Sequence, residues 1–296
     1  MTGRSGILLV NPVAGSTKET PEVLSDMLPS LELRPCEPAD LRRQLVDAVA
    51  AGIEVVAVGG GDGTQRTAAA VLAHSASTLL PVPLGTFNHF ARAIGIDTVE
   101  AAAEALERGT PTRIDLCQVN DEVFLNNASI GWYAEMLRTR MRLAHRMPRQ
   151  VAKVAALLAH LPKAPRVDVD VAGKTYRSWL VWVGNGRYDL RVGHLAERLS
   201  LTDHHLDVRI LIADRRLARF RAAFALLTGR VETSDALERF TTTEATFRVG
   251  RRAVAVGVDG EGISVVPPLC FRSAPEALSV LPSPSWTDGT VASSSR

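Results

Sequence analysis

At 296 residues, 46% of them hydrophobic, the chain has enough apolar material for two domains with real cores. Its 34 lysines and arginines against 32 aspartates and glutamates leave a net charge of +2, so the overall balance singles out no class of partner. Cys36, Cys117 and Cys270 are odd in number, far apart and set among apolar residues, which excludes a disulfide framework and zinc-ligand spacing and reads as reduced thiols of a cytosolic protein.

Met1 to Asn11 carries an apolar run too short for the core of a signal peptide and reads as a first β-strand, Ile7 to Val10, opening into Asn11-Pro12-Val13-Ala14-Gly15-Ser16-Thr17. A helix follows from Leu41 to Ala51, with Asp40 as its cap and Gly52 as its stop, and leads to a strand from Ile53 to Val58. That strand breaks into Gly59-Gly60-Gly61-Asp62-Gly63-Thr64, followed by a helix over Gln65 to His74. Glycines without side chains let backbone N–H groups approach an anion, and the start of the helix faces the same spot. Such a loop reads as a phosphate cradle or, equally, as a tight turn after a strand. Asp62 beside a phosphate asks for Mg²⁺ between or near them.

A third strand, Leu79 to Val82, ends in Pro83-Leu84-Gly85-Thr86-Phe87-Asn88-His89 and starts another helix. A further helix, Val99 to Arg108, is capped by Asp97 and closed by Gly109 before the chain continues through Arg113 to Leu116. This is βαβ grammar, and ligands of open α/β sheets gather at the carboxyl ends of the strands. The run from Thr67 to Leu84 contains His74, Pro81 and Pro83 and cannot be an uninterrupted membrane span.

After about residue 116 the grammar changes to strands at Val123 to Ser129, Val167 to Val171, Tyr176 to Val183, Leu206 to Ile212, Ala245 to Val249, Ala253 to Val258 and Ile263 to Val266, an antiparallel β domain. Helical insertions are expected at Tyr133 to Leu161 and Arg215 to Thr228. Between Ala134 and Arg166 eight basic residues (Arg138, Arg140, Arg142, Arg146, Arg149, Lys153, Lys163, Arg166) stand against Glu135, with apolar residues interleaved. The segment either rests on an anionic bilayer or is a solvated basic face packed on the β domain. Nucleic acid is a poor partner, since no stacking platform or recognition helix is evident. From Pro282 to the end Pro, Ser, Thr and Gly dominate, so 282–296 reads as a disordered tail.

Four pieces now stand in order: Asn11-Pro12-x-Ala14-Gly15, Gly60-Gly61-Asp62-Gly63-Thr64, Pro83-x-Gly85-Thr86-x-Asn88 and Val258-Asp259-Gly260-Glu261. Together they resemble the diacylglycerol kinase catalytic-domain family, which includes bacterial soluble lipid kinases and sphingosine kinases. The resemblance implies an α/β nucleotide-binding domain over 1–120, rejoined by 274–281, and a C-terminal antiparallel β-sandwich over 121–273 that takes a lipid, with the active site in the interdomain cleft. It implies ATP as phosphoryl donor and Mg²⁺ as cofactor. It places the nucleotide on Asn11, Gly60, Gly61, Asp62, Gly63, Thr64, Thr86 and Asn88, with Asp62 and Asp115 linked to the metal. Asp259 becomes the base for the lipid hydroxyl and Glu261 its acidic companion. On its own residues, Asp259-Gly260 between two β runs reads as a type I′ hairpin, and the two readings can coexist.

Departures from the family pattern are also legible. His89 stands where an Asp of the metal network is usual, and Gln65-Arg66-Thr67 replaces apolar-Asn-Glu. Thr202-Asp203-His204-His205-Leu206-Asp207 replaces an Asp-Asp-Gly-x-Leu-Asp motif that holds a structural Mg²⁺, leaving Asp203 and Asp207 as weakened metal ligands. The expected activity is transfer of the γ-phosphate of ATP to the hydroxyl of diacylglycerol or a related lipid by a cytoplasmic protein working peripherally at the inner membrane face. The alternatives are a small-molecule kinase resembling NAD kinase and a catalytically weak lipid- or nucleotide-binding regulator. A homodimer is compatible with the sequence, which does not choose an oligomeric state.

Overall fold

The computed structural model describes residues 4–11, 20–131, 167–189, 197–213, 237–250 and 252–288, together with positions 139, 143, 146–148, 151 and 155. In chain order the elements begin β1 (Gly6–Val10), α1 (Pro21–Met27), β2 (Leu31–Pro35), α2 (Leu41–Ala50), β3 (Val55–Gly60), α3 (Asp62–Leu72), β4 (Thr78–Pro83), α4 (His89–Ala93), α5 (Val99–Arg108) and β5 (Thr112–Val119). They continue with β6 (Glu122–Phe124), β7 (Asn127–Gly131), β8 (Val167–Val171), β9 (Lys174–Asn185), β10 (Tyr188–Asp189), β11 (Glu197–Arg198) and β12 (Leu206–Ile212). The last are β13 (Leu237–Thr242), β14 (Glu244–Phe247), β15 (Val254–Val258), β16 (Glu261–Val265) and β17 (Leu269–Val280). Two compact units result, Met1–Leu116 with Ala274–Ala292 and one built on Cys117–Ser273, and the division falls within β5 and β17.

In the first unit the strand order is β2-β1-β3-β4-β17-β5. β1 pairs in parallel with β2 on one side and β3 on the other, and β3 and β4 are also parallel. Ile7 to Val10 and Val55 to Val58 are buried without a break, as strands covered on both faces must be. The helices bury one stripe each: Leu41, Leu45 and Ala48 in α2, and Gln65, Ala68, Ala69 and Leu72 in α3. Because the chain leaves β1 toward β2 and then returns to β3 on the opposite side, the connection reverses between β1 and β3. The carboxyl ends of those strands, at Asn11 and Gly60, therefore flank a topological switch point.

The second unit is a β-sandwich. One layer has the order β13-β12-β9-β7-β15-β16, with β8 added against β9, and its pairs are antiparallel. The other layer is formed by β6 on the end of β5 and by β14 on the start of β17. Val181, Val183, Val208, Ile210 and Val256 from the first layer and Phe124, Phe247 and Phe271 from the second meet in one core. The three phenylalanines pack edge to face.

Several expectations need correction. The strand expected over Val123 to Ser129 is two strands in different layers, with Leu125 and Asn126 carrying the chain across. The cap of α5 is Thr98, whose Oγ1 accepts from the N–H of Ala101 in extended backbone, and Asp97 only precedes it. Asp40 sits before α2 in helical conformation and gives Oδ1 to Arg43 instead of capping. Helix α1 and strands β2 and β13 carry no periodicity strong enough to be read beforehand.

The tail expected to be disordered from Pro282 is placed as far as Asp288. Leu281, Pro282 and Ser283 are buried, Ser283 N–H donates to the Ile94 carbonyl at 3.0 Å, and the Trp286 indole donates to the Ala93 carbonyl at 2.9 Å. Composition misleads here because one Trp and one turn suffice to dock a short polar segment. The insertion at 215–228 lies outside the described residues, as does that at 133–161 apart from the single positions above. Among the described residues no helix is long and apolar enough to cross a membrane.

Candidate functional site

The first unit presents a cradle at the carboxyl ends of β1, β3 and β4. Val10 is paired with Gly59 and Gly60 with Pro83, so Asn11, the glycine loop and the Gly85 loop lie side by side. The glycines are required by proximity: a Cβ on Gly85 would stand 2.3 Å from the Cα of Gly61, and one on Gly60 would stand 2.6 Å from the Thr64 side chain. Gly61 is the extended N-cap of α3, so unsatisfied N–H groups of the helix start at this loop. The donor set and the space kept free by absent side chains fit a phosphate group.

Asn88 holds the neighbouring loop from within, in left-handed conformation. Its Oδ1 accepts from the Gly85 N–H and its Nδ2 donates to the Gly85 carbonyl, both at 2.9 Å. Thr86, Phe87 and His89 are exposed on this loop, and the Phe87 and His89 rings lie stacked with centroids 5.6 Å apart. Asp62 accepts from the N–H of Phe90 at 3.0 Å through Oδ1, satisfying a donor at the start of α4. Gln65, one of the departures, is buried and donates from Nε2 to the Val58 carbonyl at 2.8 Å, so its amide secures the end of β3.

Asp115 is buried in β5, two places beyond β4 in the sheet, and accepts from the Glu276 N–H at 2.9 Å. It thereby fixes β17 where Glu276 adopts a φ of 49°. Among the described residues no group of three or more His, Cys, Asp or Glu is gathered to hold a metal. A Mg²⁺ carried on nucleotide phosphates needs only one or two protein carboxylates beside waters, and Asp62 at the cradle fits that modest requirement.

In the second unit Asp259 and Gly260 form the two-residue turn between β15 and β16, with φ of 47° and 88° and Val258 paired to Glu261. This is the type I′ geometry that Asp-Gly favours. The turn throws the Asp259 carboxylate onto the backbone of the crossing segment. Oδ2 accepts from the Leu125 N–H at 2.8 Å, and Oδ1 accepts from those of Asn126 at 2.7 Å and Asn127 at 3.0 Å. Burial pushes its pKa above the usual aspartate value, outweighing the three N–H groups and the nearby Arg198, which pull it down. Glu261 is exposed at the start of β16.

Sequence reasoning passed over Arg198, Tyr188 and Asn185 as parts of this network. Arg198 donates to the Tyr188 hydroxyl, to the Leu125 carbonyl and to Asn126 Oδ1. Asn185 donates from Nδ2 to the Leu125 carbonyl and accepts from Cys117 Sγ. Asn185 and Tyr188 lie in Gly184-Asn185-Gly186-Arg187-Tyr188, where glycines at the end of a strand were the available signal. Arg198 sits on a two-residue strand with no pattern to announce it.

Asp203 and Asp207 require a correction: their carboxylates are not arranged for a cation. Asp207 is fully buried, and Arg209 grips it with both arms, Nε to Oδ1 at 3.1 Å and Nη2 to Oδ2 at 2.6 Å. The Tyr188 N–H also donates to its Oδ2, and Arg239 Nε approaches Oδ1 at 3.7 Å. Arg187 donates to Asp203 Oδ2 from both its backbone N–H and its Nε, while the His205 N–H takes Oδ1. Arginines supply the positive charge that a structural metal would bring, and the residues do not fit one.

Comparison with known proteins agrees with both halves. Residues 5–119 match the diacylglycerol kinase catalytic domain, and residues 129–282 match the YegS C-terminal NAD kinase beta sandwich-like domain. A protein of Pseudomonas putida named probable lipid kinase YegS-like is 30% identical over 73% of this chain and 77% of its own. A protein of the same name from Pseudomonas savastanoi pv. phaseolicola is 27% identical over 95% of this chain and 94% of its own. The crystal structure of a diacylglycerol kinase from Bacillus anthracis superposes with a TM-score of 0.69 at 18% identity, covering 96% of this chain and 99% of the other, which speaks for the fold. With both domains matched in order, the chain belongs to the YegS-like family of probable lipid kinases, in which a diacylglycerol kinase catalytic domain precedes a YegS C-terminal domain.

Proposed function

We propose that this lipid kinase uses ATP and Mg²⁺ to phosphorylate the hydroxyl of diacylglycerol or a related lipid at a membrane surface. The observation that carries the reading is the Asp259 carboxylate, held by three backbone N–H groups in a turn, with burial raising its pKa above the usual aspartate value. A base must be fixed in place and must hold a proton well enough to take one. Oδ2 receives one of the three donors, which leaves it room to accept the substrate hydroxyl.

In this reading the cradle at Gly60 to Thr64 binds the phosphates through N–H groups, with Asn11 and Thr86 at its sides, and Asn88 shapes the adjoining loop. Mg²⁺ near Asp62 would neutralise phosphate charge when bound. Asp259 accepts the hydroxyl proton as the lipid oxygen forms its bond to the γ-phosphorus, and the bond to the β-phosphate oxygen breaks to release ADP. The reading requires the nucleotide of the first unit and the acceptor of the second to be brought together.

The test is transfer of labelled γ-phosphate to diacylglycerol in mixed micelles. Asp259→Asn is expected to lower kcat by about 100-fold or more, and equal turnover by wild type and variant removes the assignment. The acidic limb of the pH profile is expected above the ordinary aspartate range, because the base works only when deprotonated and its pKa is raised. The likeness of 129–282 to a NAD kinase beta sandwich supports a second reading, phosphorylation of a soluble nucleotide, which transfer to NAD but not to lipid would favour.

A further inference from the structure

We propose that Arg198 is a positioning residue for the phosphoryl-transfer base: it clamps the Leu125 carbonyl and the Asn126 side chain so that three consecutive N–H groups stay aimed at Asp259. This rests on the reading of Asp259 as the base. The crossing segment Leu125–Asn126 lies between two strands of different layers, and the Asn185 N–H donates to its Asn126 carbonyl at 2.9 Å. Its outward N–H groups go to Asp259, so its carbonyls must be fixed by something else.

Arg198 shares that task with Asn185, whose Nδ2 donates to the Leu125 carbonyl at 3.0 Å. Arg198 Nη2 reaches the Leu125 carbonyl at 2.7 Å, Asn126 Oδ1 at 2.9 Å and the Tyr188 hydroxyl at 2.8 Å, and Nε reaches the same hydroxyl at 2.9 Å. The Tyr188 hydroxyl donates in turn to the Asn126 carbonyl at 2.9 Å. One guanidinium thus reaches both residues of the crossing, the two Nη2 protons being shared among three acceptors while Nε holds the Tyr188 hydroxyl.

A second observation concerns charge. None of these acceptors is a carboxylate, and Nη1 is buried without a hydrogen-bond partner. A partly buried cation spent on neutral oxygens is costly unless an anion nearby offsets it. Asp259 is that anion, and Arg198 draws its pKa down against burial. The titratable neighbours of the network are Tyr188, whose hydroxyl burial pushes up, and Cys117, with Glu261 exposed on the same hairpin. Arg198 is the positive charge acting on the base.

The experiment compares wild type with Arg198→Met, Arg198→Lys and Tyr188→Phe, each checked for folding by circular dichroism and thermal melting, with kcat, KM for ATP and the pH profile measured on the lipid acceptor. Arg198→Met is expected to lose about 10- to 100-fold in kcat with KM for ATP little changed, and its acidic limb moves to higher pH because the charge that favours the deprotonated base is gone. Arg198→Lys keeps the charge, so its limb stays near that of wild type while kcat falls with loss of the fork. Tyr188→Phe is expected to fold and to show a smaller loss of kcat, which keeps the idea testable if Arg198→Met is unstable. Folded Arg198 variants with wild-type kcat and an unmoved acidic limb overturn the proposal. An active Asp259→Asn defeats the underlying assignment instead, and an inactive Asp259→Asn beside a normal Arg198→Met defeats this inference alone.

Discussion

A carboxylate buried away from water must find a partner or give up its charge, and Asp207 finds Arg209, itself buried and lying 5.2 Å from the Trp182 ring centre. A metal motif that has lost one acid and its glycine can keep its remaining aspartates for another purpose if arginine arrives at the right register. Removing Arg209 leaves Asp207 with only the distant Arg239 arm and one N–H. Arg209→Met is therefore expected to destabilise the second unit by about 3 to 5 kcal/mol, measured by denaturant unfolding. The companion expectation is that a chelator leaves the melting midpoint of wild type in place; a fall on chelation that Mg²⁺ reverses would contradict the arginine account. Asp207 and Arg209, two apart on one expected strand and so on one face, were open to pairing from sequence, whereas the Tyr188 N–H and the Arg239 arm come to them only through the fold.

At the scale of elements, the cradle depends on two loops whose backbones nearly touch. A methyl group on Gly85 meets the Gly61 Cα, which cannot swing aside as a side-chain tip can. Gly85→Ala is expected to push the loops apart, lowering the melting midpoint and abolishing the thermal shift expected of wild type with ATP. A variant that keeps the full shift would show the loop contact to be incidental. Gly260 offers a contrast, since a Cβ there meets nothing within 4 Å and only its φ of 88° resists substitution. The strands that carry the cradle were readable because buried parallel strands are continuous apolar runs, as in Ile7 to Val10 and Val55 to Val58. The break at Leu125 and Asn126 was not, since a strand that changes layer keeps the same alternation on both sides of the crossing. That break is where the proposed base is seated, so the least legible element is the one the proposed chemistry needs.

For the whole molecule, motif order foretold two units of the right kinds, while the way 282–288 docks on the end of α4 depends on Trp286 finding the Ala93 carbonyl, a contact no composition reveals. Lipid acceptors also demand that the molecule meet a bilayer, and here the sequence of 134–166 bears the argument. Eight basic residues against one acid, interleaved with Met, Leu and Val, suit an anionic surface, where each basic side chain contributes about 1 kcal/mol. If the segment is the docking element, the protein co-sediments with phosphatidylserine vesicles and not with phosphatidylcholine vesicles, and binding falls as salt screens the surface. Replacing Arg138, Arg142, Arg146 and Arg149 together by serine is then expected to remove vesicle binding and turnover of vesicle-borne diacylglycerol, yet to spare turnover of a short-chain diacylglycerol dissolved as monomers. Equal loss on both substrates would mean that the segment serves the fold, as a basic solvated face packed on the sandwich does, and unchanged vesicle binding would place the membrane contact elsewhere on the molecule.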